Sequence, residues 1–480
     1  MNQPATPRGK SFSESKRRLL EKLMRGSTSQ SHSASDPVAR RPPDEPAPLG
    51  LAQEQVWRRS FRAADKPPLY NEVVTVYREG PLDVGVLERC LTEIIRRHEA
   101  WRSSFDTVDG QAVQLIHPAP AEMKIPFVDL QGWPASQREA KAVRLVSEQA
   151  QQPFDLKQGP LLKPLFLKLD ANAYRLTIIA HQSIIDGISA YQAFPTELAA
   201  LYEAFSTGNP SPLPELPVQY GDFAYWQRRW LRGEICEQQM AYWRKQLGGE
   251  LPRSQWQKTF VSSNDESFRG VIQSFAVPVE LARRVKGFSH EHGATLFLVL
   301  LAAFTGLLYC HARQDDILIG TLSPVGRKRS EVQALLGYFL NPVVLRYRLS
   351  GEVTFEDLLQ ESRRLLSEAI SNDDVPLEVV TEELKLSRER DPIVKIAVSL
   401  QPCVPTVKKG WDVTSMDAQN GGTAWDLYLA FIDGARGLVG RAQYNPDVFQ
   451  DAMISSMLDD LWKVLSAGIS YSASRLRDLL

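Results

Sequence analysis

From Leu49 onward, apolar positions recur at about 3.6 residues in some stretches and about 2 in others, the patterns of amphipathic helices and half-buried strands. LAQEQVWRR, starting at Leu51, predicts a helix, and Glu72 to Tyr77 (EVVTVY) alternates as a strand does. Val86 to Arg97 predicts an amphipathic helix, Tyr174 to Ile179 (YRLTII) a buried strand, and Ile188 to Tyr202 a further helix after a loop. NPSPLPELP, Asn209 to Pro217, holds four prolines in nine residues and predicts a linker. Beyond it, Ile317 to Thr321 and Val343 to Tyr347 predict strands, and Phe355 to Ser371 and Val448 to Ala467 predict long helices. No short-period repeat points to a solenoid. Two packed α/β halves are the simplest architecture. The expected division is a flexible segment over residues 1–48, an N-terminal lobe over 49–217 and a C-terminal lobe over 218–480.

Two segments need separate treatment. Ala294 to Cys310 (ATLFLVLLAAFTGLLYC) is apolar for 17 residues. That is short for a membrane span of ~20 residues, and His290, Glu291, Arg313 and Asp315 flank it closely. A buried core helix is the expected reading. Residues 1–48 are rich in Ser, Pro and Arg, a composition that resists a packed core. Within them Ser13 to Gly26 (SESKRRLLEKLMRG) sets Leu19, Leu20, Leu23 and Met24 on one side of a basic helix. It reads either as a solvated tail or as a docking segment that orders on a partner.

Composition narrows the function. A formal net charge of -1 gives no bulk attraction to nucleic acid or to anionic membrane. The four cysteines, Cys90, Cys236, Cys310 and Cys403, lie far apart, with no metal-binding spacing and no disulfide framework. No secretory signal opens the chain. A cytoplasmic, monomeric protein without a metal is expected.

The segment with most chemical content is AHQSIIDG, Ala180 to Gly187. An apolar strand ends in His181, a short loop carries Asp186 and Gly187, and a helix follows. Amide N–H groups at such a helix start can stabilise a developing oxyanion, and Gly187 lets a substrate approach the backbone. Taken alone the segment has a plainer reading. A His beside an apolar strand is commonly a satisfied core residue, and Asp-Gly is commonly a turn.

Its neighbours change that. AHQSIIDG resembles the HHxxxDG signature of condensation domains of nonribosomal peptide synthetases, members of the chloramphenicol-acetyltransferase-like superfamily. LGLAQEQVW (Leu49 to Trp57), RRHEAWRSSF (Arg96 to Phe105) and YGDFAYW (Tyr220 to Trp226) resemble further motifs of that family. So do IGTLSPVGR (Ile319 to Arg327), LLGYFLNPVVLR (Leu335 to Arg346), NDDVPLEVV (Asn372 to Val380) and SRERDPIVKIAVSLQ (Ser387 to Gln401). All eight run in the family's order. The resemblance implies an α/β fold of two acetyltransferase-like lobes, forming a V-shaped pseudo-dimer with a central tunnel. It also implies amide formation between a donor acyl thioester and an acceptor amine. Both would arrive on the 4'-phosphopantetheine arms of donor and acceptor carrier proteins, with no cofactor bound by the domain itself.

The chain departs from the family at one position. The second His of the signature aligns with Gln182. Imidazole titrates near pH ~6.5, whereas a glutamine amide only donates and accepts hydrogen bonds. The domain is then an active enzyme in which Gln182 positions the nucleophile, a silent module that recruits carriers or a tailoring enzyme, or an active domain carrying an introduced substitution. Acyl transfer to a soluble alcohol or amine is a further option. The resemblance makes His181 and Asp186 mainly structural and Gly187 N–H an oxyanion donor. Asp186 is expected to pair with Arg327, with Arg102 as second candidate. Asn341, Ser399 and Gln401 are candidate tunnel-lining residues. IGTLSPVGR and IVKIAVSLQ depart from the common forms and suggest an unusual acceptor or carrier arrangement. The sequence holds no adenylation or carrier domain, so the chain is expected to be a stand-alone domain or a piece of a larger synthetase. Its basic N-terminal segment suggests docking on an upstream synthase.

Overall fold

The computed structural model describes residues 37–62, 67–252, 268–312, 314–386, 393–401, 410–414, 418–434 and 437–478. The expected docking helix at Ser13 to Gly26, residues 387–392 at the start of the SRERDPIVKIAVSLQ segment, and Cys403 lie outside them. Val38–Leu480 forms one unit, built on two large sheets and a small one.

The first large sheet holds five strands, in the order β12 (Trp411–Thr414), β2 (Asn71–Glu79), β7 (Ala173–His181), β6 (Leu162–Asp170) and β5 (Phe127–Asp129). Its centre is the antiparallel pair β2 and β7, with Asn71 opposite His181. β6 runs antiparallel to β7, and β5 parallel to β6. Helices cover both faces. Val84–Arg97 and Phe194–Ser206 pack Leu87, Leu91, Ile94 and Leu198 onto Val74, Val76, Leu176 and Ile178. Ala135–Ala150 packs Ala142 and Val146 onto Val73, Leu167 and Ile179. With both faces buried, β7 is an almost continuous apolar run rather than an alternating one.

The second sheet holds six strands, in the order β10 (Asn341–Arg348), β9 (Asp316–Ser323), β11 (Ile396–Leu400), β13 (Leu427–Gly434), β14 (Gly437–Tyr444) and β8 (Val271–Ala276). The apolar segment expected to be a core helix is one. Leu296–Ala312 lies among helices Val279–Glu291, Phe355–Ser371 and Asp451–Ser470, with Val299, Leu301, Phe304 and Leu307 fully buried. A helix apolar on every side has to be buried on every side. Among the described residues no single helix is long and apolar enough to cross a membrane. β1 (Ala47–Pro48), β4 (Gln111–Ile116) and β3 (Ser103–Val108) make the small sheet.

The observed elements differ from expectation in three places. The helix expected over Ile188 to Tyr202 is split: a π turn, Ser189–Ala193, precedes Phe194–Ser206. Pro195 lacks the N–H that an α turn would use there, and Phe194 N–H instead reaches back to Ser189 O. The last long helix starts at Asp451, three residues later than expected, because Val448 and Phe449 N–H are held by Asn445 O. Finally, residues 217 and 218 do not divide two separate cores. Tyr220 and Phe223 of helix Tyr220–Trp230, Leu335, Leu336 and Phe339, and Trp411 all fill the core of the first sheet. β12 pairs antiparallel with the edge of β2, Trp411 opposite Arg78. The C-terminal half thus supplies an edge strand to the N-terminal sheet.

Candidate active site

The signature loop leaves the end of β7 and is fixed from two directions. Gln182 N–H donates to Tyr70 O at 2.7 Å, prolonging the β2–β7 pairing by one residue. Gln182–Ile184 then forms a 3₁₀ turn. Gln53 of helix Leu51–Arg62 donates to Ser183 O at 2.8 Å and accepts from Gly50 N–H at 3.0 Å, so the opening motif LGLAQEQVW supports this turn directly.

His181 is buried between the rings of Tyr70 and Phe154. Its Nδ1 lies 2.7 Å from Ser183 Oγ and accepts from Ser183 N–H at 3.3 Å. Its Nε2 is 3.1 Å from Ser60 Oγ, whose hydroxyl donates to Val56 O. That pattern selects the Nε2–H tautomer. Burial pushes the imidazole pKa down to about 3, so His181 is neutral near pH 7 and does not line the cavity described below. The unfolded chain takes up a proton near pH 6.5 that the folded chain refuses until about 3. This contribution to stability is therefore full above pH 6.5 and falls as pH drops through that window, by about 1.4 kcal/mol per pH unit. A His181→Gln variant is expected to show a shallower loss of apparent stability between pH 6.5 and 4 in urea unfolding; an unchanged slope would contradict it.

Asp186 and Arg327 form the second fixing point. Arg327 Nη2 donates to Asp186 Oδ1 at 3.1 Å, to Oδ2 at 3.3 Å and to Ser189 Oγ at 2.8 Å. Its Nη1 donates to the carbonyls of Val332, Gln333 and Leu335, and its guanidinium lies 4.2 Å from the centre of the Phe339 ring. Asp186 also accepts from Ser189 N–H at 2.7 Å and Phe339 N–H at 3.2 Å. With its oxygens so engaged, this carboxylate ties the loop to the 327–339 segment. Arg102, the second candidate partner, is elsewhere: it donates to His117 O and lies 3.9 Å from Glu99, because its position after helix Val84–Arg97 turns it toward β4.

The other motifs meet the same junction. Tyr220 hydroxyl donates to Tyr338 O at 2.7 Å, and its ring sits where a Cβ on Gly337 would fall, at 2.3 Å. Glu197 accepts from buried Arg97 and lies 2.9 Å from His98 Nε2, while His98 Nδ1 accepts from Leu336 N–H. Asn341, expected to line a tunnel, is instead a bracket. Its amide donates to Asp373 O and Val375 O, anchoring the NDDVPLEVV loop to β10.

Gln182 and Gly187 open into a cavity of about 170 Å³ where the ends of the two large sheets face each other. Gly187 stands in the first turn of the following helix, where amides have no intrahelical acceptor. Gln401, Tyr428 and Arg441 line the cavity from the second sheet. Ser399, a candidate liner, is one layer back, its hydroxyl 2.7 Å from that of Tyr428. Gln401 donates to the same hydroxyl at 3.3 Å. Arg59 and Glu378 form an ion pair at 3.1 Å on the wall, joining helix Leu51–Arg62 to helix Leu377–Glu383. Tyr70, Tyr191 and Tyr428 are held protonated by burial. Sequence reasoning missed Glu72, Tyr191 and Arg441, which also line the cavity. The available signal was Glu72 itself, an acidic residue opening the run EVVTVY, otherwise built of Val, Thr and Tyr.

The fold and site define an α/β protein with a cavity between its two large sheets, its wall bridged by the Arg59–Glu378 ion pair. The chain belongs to the condensation-domain family of nonribosomal peptide synthetases, whose sequence profile matches residues 44–480. It is 37% identical over 456 residues to one of the linear gramicidin synthase subunits of Brevibacillus parabrevis, covering 93% of this chain and 6% of that protein. It is 32% identical over 464 residues to phosphinothricin tripeptide synthetase PhsB of Streptomyces viridochromogenes, covering 94% of this chain and 38% of that protein. The chain thus spans only a minor part of the length of these relatives. Solved structures share the fold. The first condensation domain of the calcium-dependent antibiotic synthetase, in complex with a substrate analogue, superposes with a TM-score of 0.79 at 19% identity, covering 91% of this chain and all of that one. The X-domain from teicoplanin biosynthesis gives 0.76 at 23%, covering 92% and 99%.

Proposed function

We propose that this chain joins a carrier-bound donor thioester to an acceptor amine, forming an amide in the cavity between the two sheets. The observation that carries the reading is the intact loop: Asp186, Arg327 and Ser189 hold it while Gln182 and Gly187 open onto the cavity. The thioester carbonyl would point its oxygen at the Gly187 N–H, and the Gln182 amide would accept a hydrogen bond from the amine. Most of the rate then comes from holding two reactants in one small space. The phosphopantetheine arms of donor and acceptor carriers would bring those reactants. A recruiting module is the second reading. It is favoured by the absence of a basic atom at Gln182 and by the likeness to the teicoplanin X-domain, which is also described in complex with OxyB.

Intact-protein mass spectrometry with donor-loaded and acceptor-loaded carriers separates the two, comparing the chain with its Gln182→His variant. Both are expected to condense. The two side chains differ by one positioning hydrogen bond, so the parent is expected to be at most about tenfold slower. Carrier binding without product in either protein would leave the recruiting module.

A further inference from the structure

We propose that Glu72 is the acceptor-amine subsite of this cavity and the proton acceptor of the aminolysis. The inference rests on the condensation reading and supplies the group that Gln182 lacks.

The placement follows from strand register. Glu72 is opposite Ala180, two residues before Gln182, and directly opposed residues share a face of the sheet. On that face Val74 and Val76 run into the core at 1% and 0% exposure. Glu72 stands where the core ends and the cavity begins. Its side chain is exposed to the cavity. Among the described residues its carboxylate has no hydrogen bond and no close ion pair; Arg441 acts on it only through charge. A carboxylate that faces the cavity with no donor of its own is free to accept hydrogen bonds from a ligand there. A ligand that enters through the cavity with N–H groups or positive charge would meet this acceptor. An acceptor amine is such a ligand.

The groups facing Glu72 suit that role. Arg441 comes from β14, Tyr191 from the π turn and Tyr428 from β13. The Arg441 guanidinium is turned to the Tyr191 hydroxyl at 3.4 Å, leaving the carboxylate open to a ligand. Burial holds the Glu72 carboxyl above the usual carboxylate range, which strengthens it as a base. In the step itself the neutral amine donates an N–H to Glu72 and attacks the thioester carbon. As the C–N bond forms, the nitrogen becomes positive and gives that proton to the carboxylate. The C–S bond then breaks, and the Glu72 carboxylic acid returns the proton to the thiolate. Amide, free thiol and carboxylate result.

The test is the pH–rate profile of carrier-dependent condensation for the parent, Glu72→Gln, Gln182→His and the double variant. Glu72→Gln is nearly isosteric and keeps the fold. It is expected to slow condensation by about 10²–10⁴-fold and to lose the acidic limb on which the parent's rate rises with pH. Gln182→His is expected to restore part of the rate in that background, with a limb near pH ~6.5. A Glu72→Gln variant with the parent's rate and acidic limb overturns the proposal. Calorimetry on the full chain with glycyl-aminopantetheine and its N-acetyl derivative reads amine recognition apart from turnover. The parent is expected to favour the free amine, and Glu72→Gln to lose that preference; equal preference in both proteins overturns the subsite. A parent that never condenses but shows the Glu72-dependent preference sinks the condensation reading and keeps the subsite.

Discussion

Replacing Arg327 with alanine is expected to lower stability by about 3–5 kcal/mol and to abolish condensation. The cost comes from what is left behind. Asp186 has a fully enclosed side chain, and Arg327 is its only charged partner among the described residues. Removing the guanidinium strands that carboxylate, frees Ser189 Oγ on one side and releases three carbonyls of the 332–335 turn. The loop that presents Gln182 and Gly187 then keeps only its ties to the backbone of the segment carrying Gly337 and Phe339. Denaturant unfolding reads the first effect and carrier-dependent turnover the second. The double variant Arg327→Met, Asp186→Leu is expected to regain part of the stability, because two apolar groups leave no buried charge, while staying inactive. Full stability in Arg327→Ala would show that water reaches Asp186.

The second large effect is expected at Trp411→Ala, about 3–5 kcal/mol. β12 is only four residues long, and Trp411 is its anchor. The ring is buried, 5.4 Å from the Tyr202 ring centre, with the Arg78 guanidinium 5.1 Å over its face. Without it, the backbone pairing to β2 is too short to persist alone. Hydrogen exchange should therefore quicken along β2 as well as β12. A loss of stability with β2 protection intact would place the anchor in Val413 instead.

Much of this architecture was legible in the sequence, for identifiable reasons. β2, β7, β9 and β10 follow from apolar runs with β-branched residues, and helix Leu296–Ala312 from an apolar stretch too short to span a bilayer. The residues gathered around Asp186 were legible only through motif resemblance, since Asp186 and Arg327 are 141 positions apart. Hydrophobic pattern says that Tyr220, Leu336 and Trp411 are buried but not in which core, so the boundary at 217–218 came out too clean. Asn341 and Ser399 are polar residues on strands near the cavity, and only side-chain direction tells a bracket from a liner. Glu72 escaped because β2 is buried on both faces, where alternation carries little information about which side chain meets solvent.

The crossing of β12 onto β2 also sets an order of events during synthesis. The N-terminal sheet, apart from that edge, is complete once β7 has left the ribosome, but β2 keeps an unpaired edge until residues 411–414 follow. At ordinary elongation rates that interval is on the order of tens of seconds. For that time the nascent chain displays a long, apolar strand edge of the kind that recruits other strands. A chain cut at the linker would display it permanently. Expressing the N-terminal lobe alone should therefore yield aggregates.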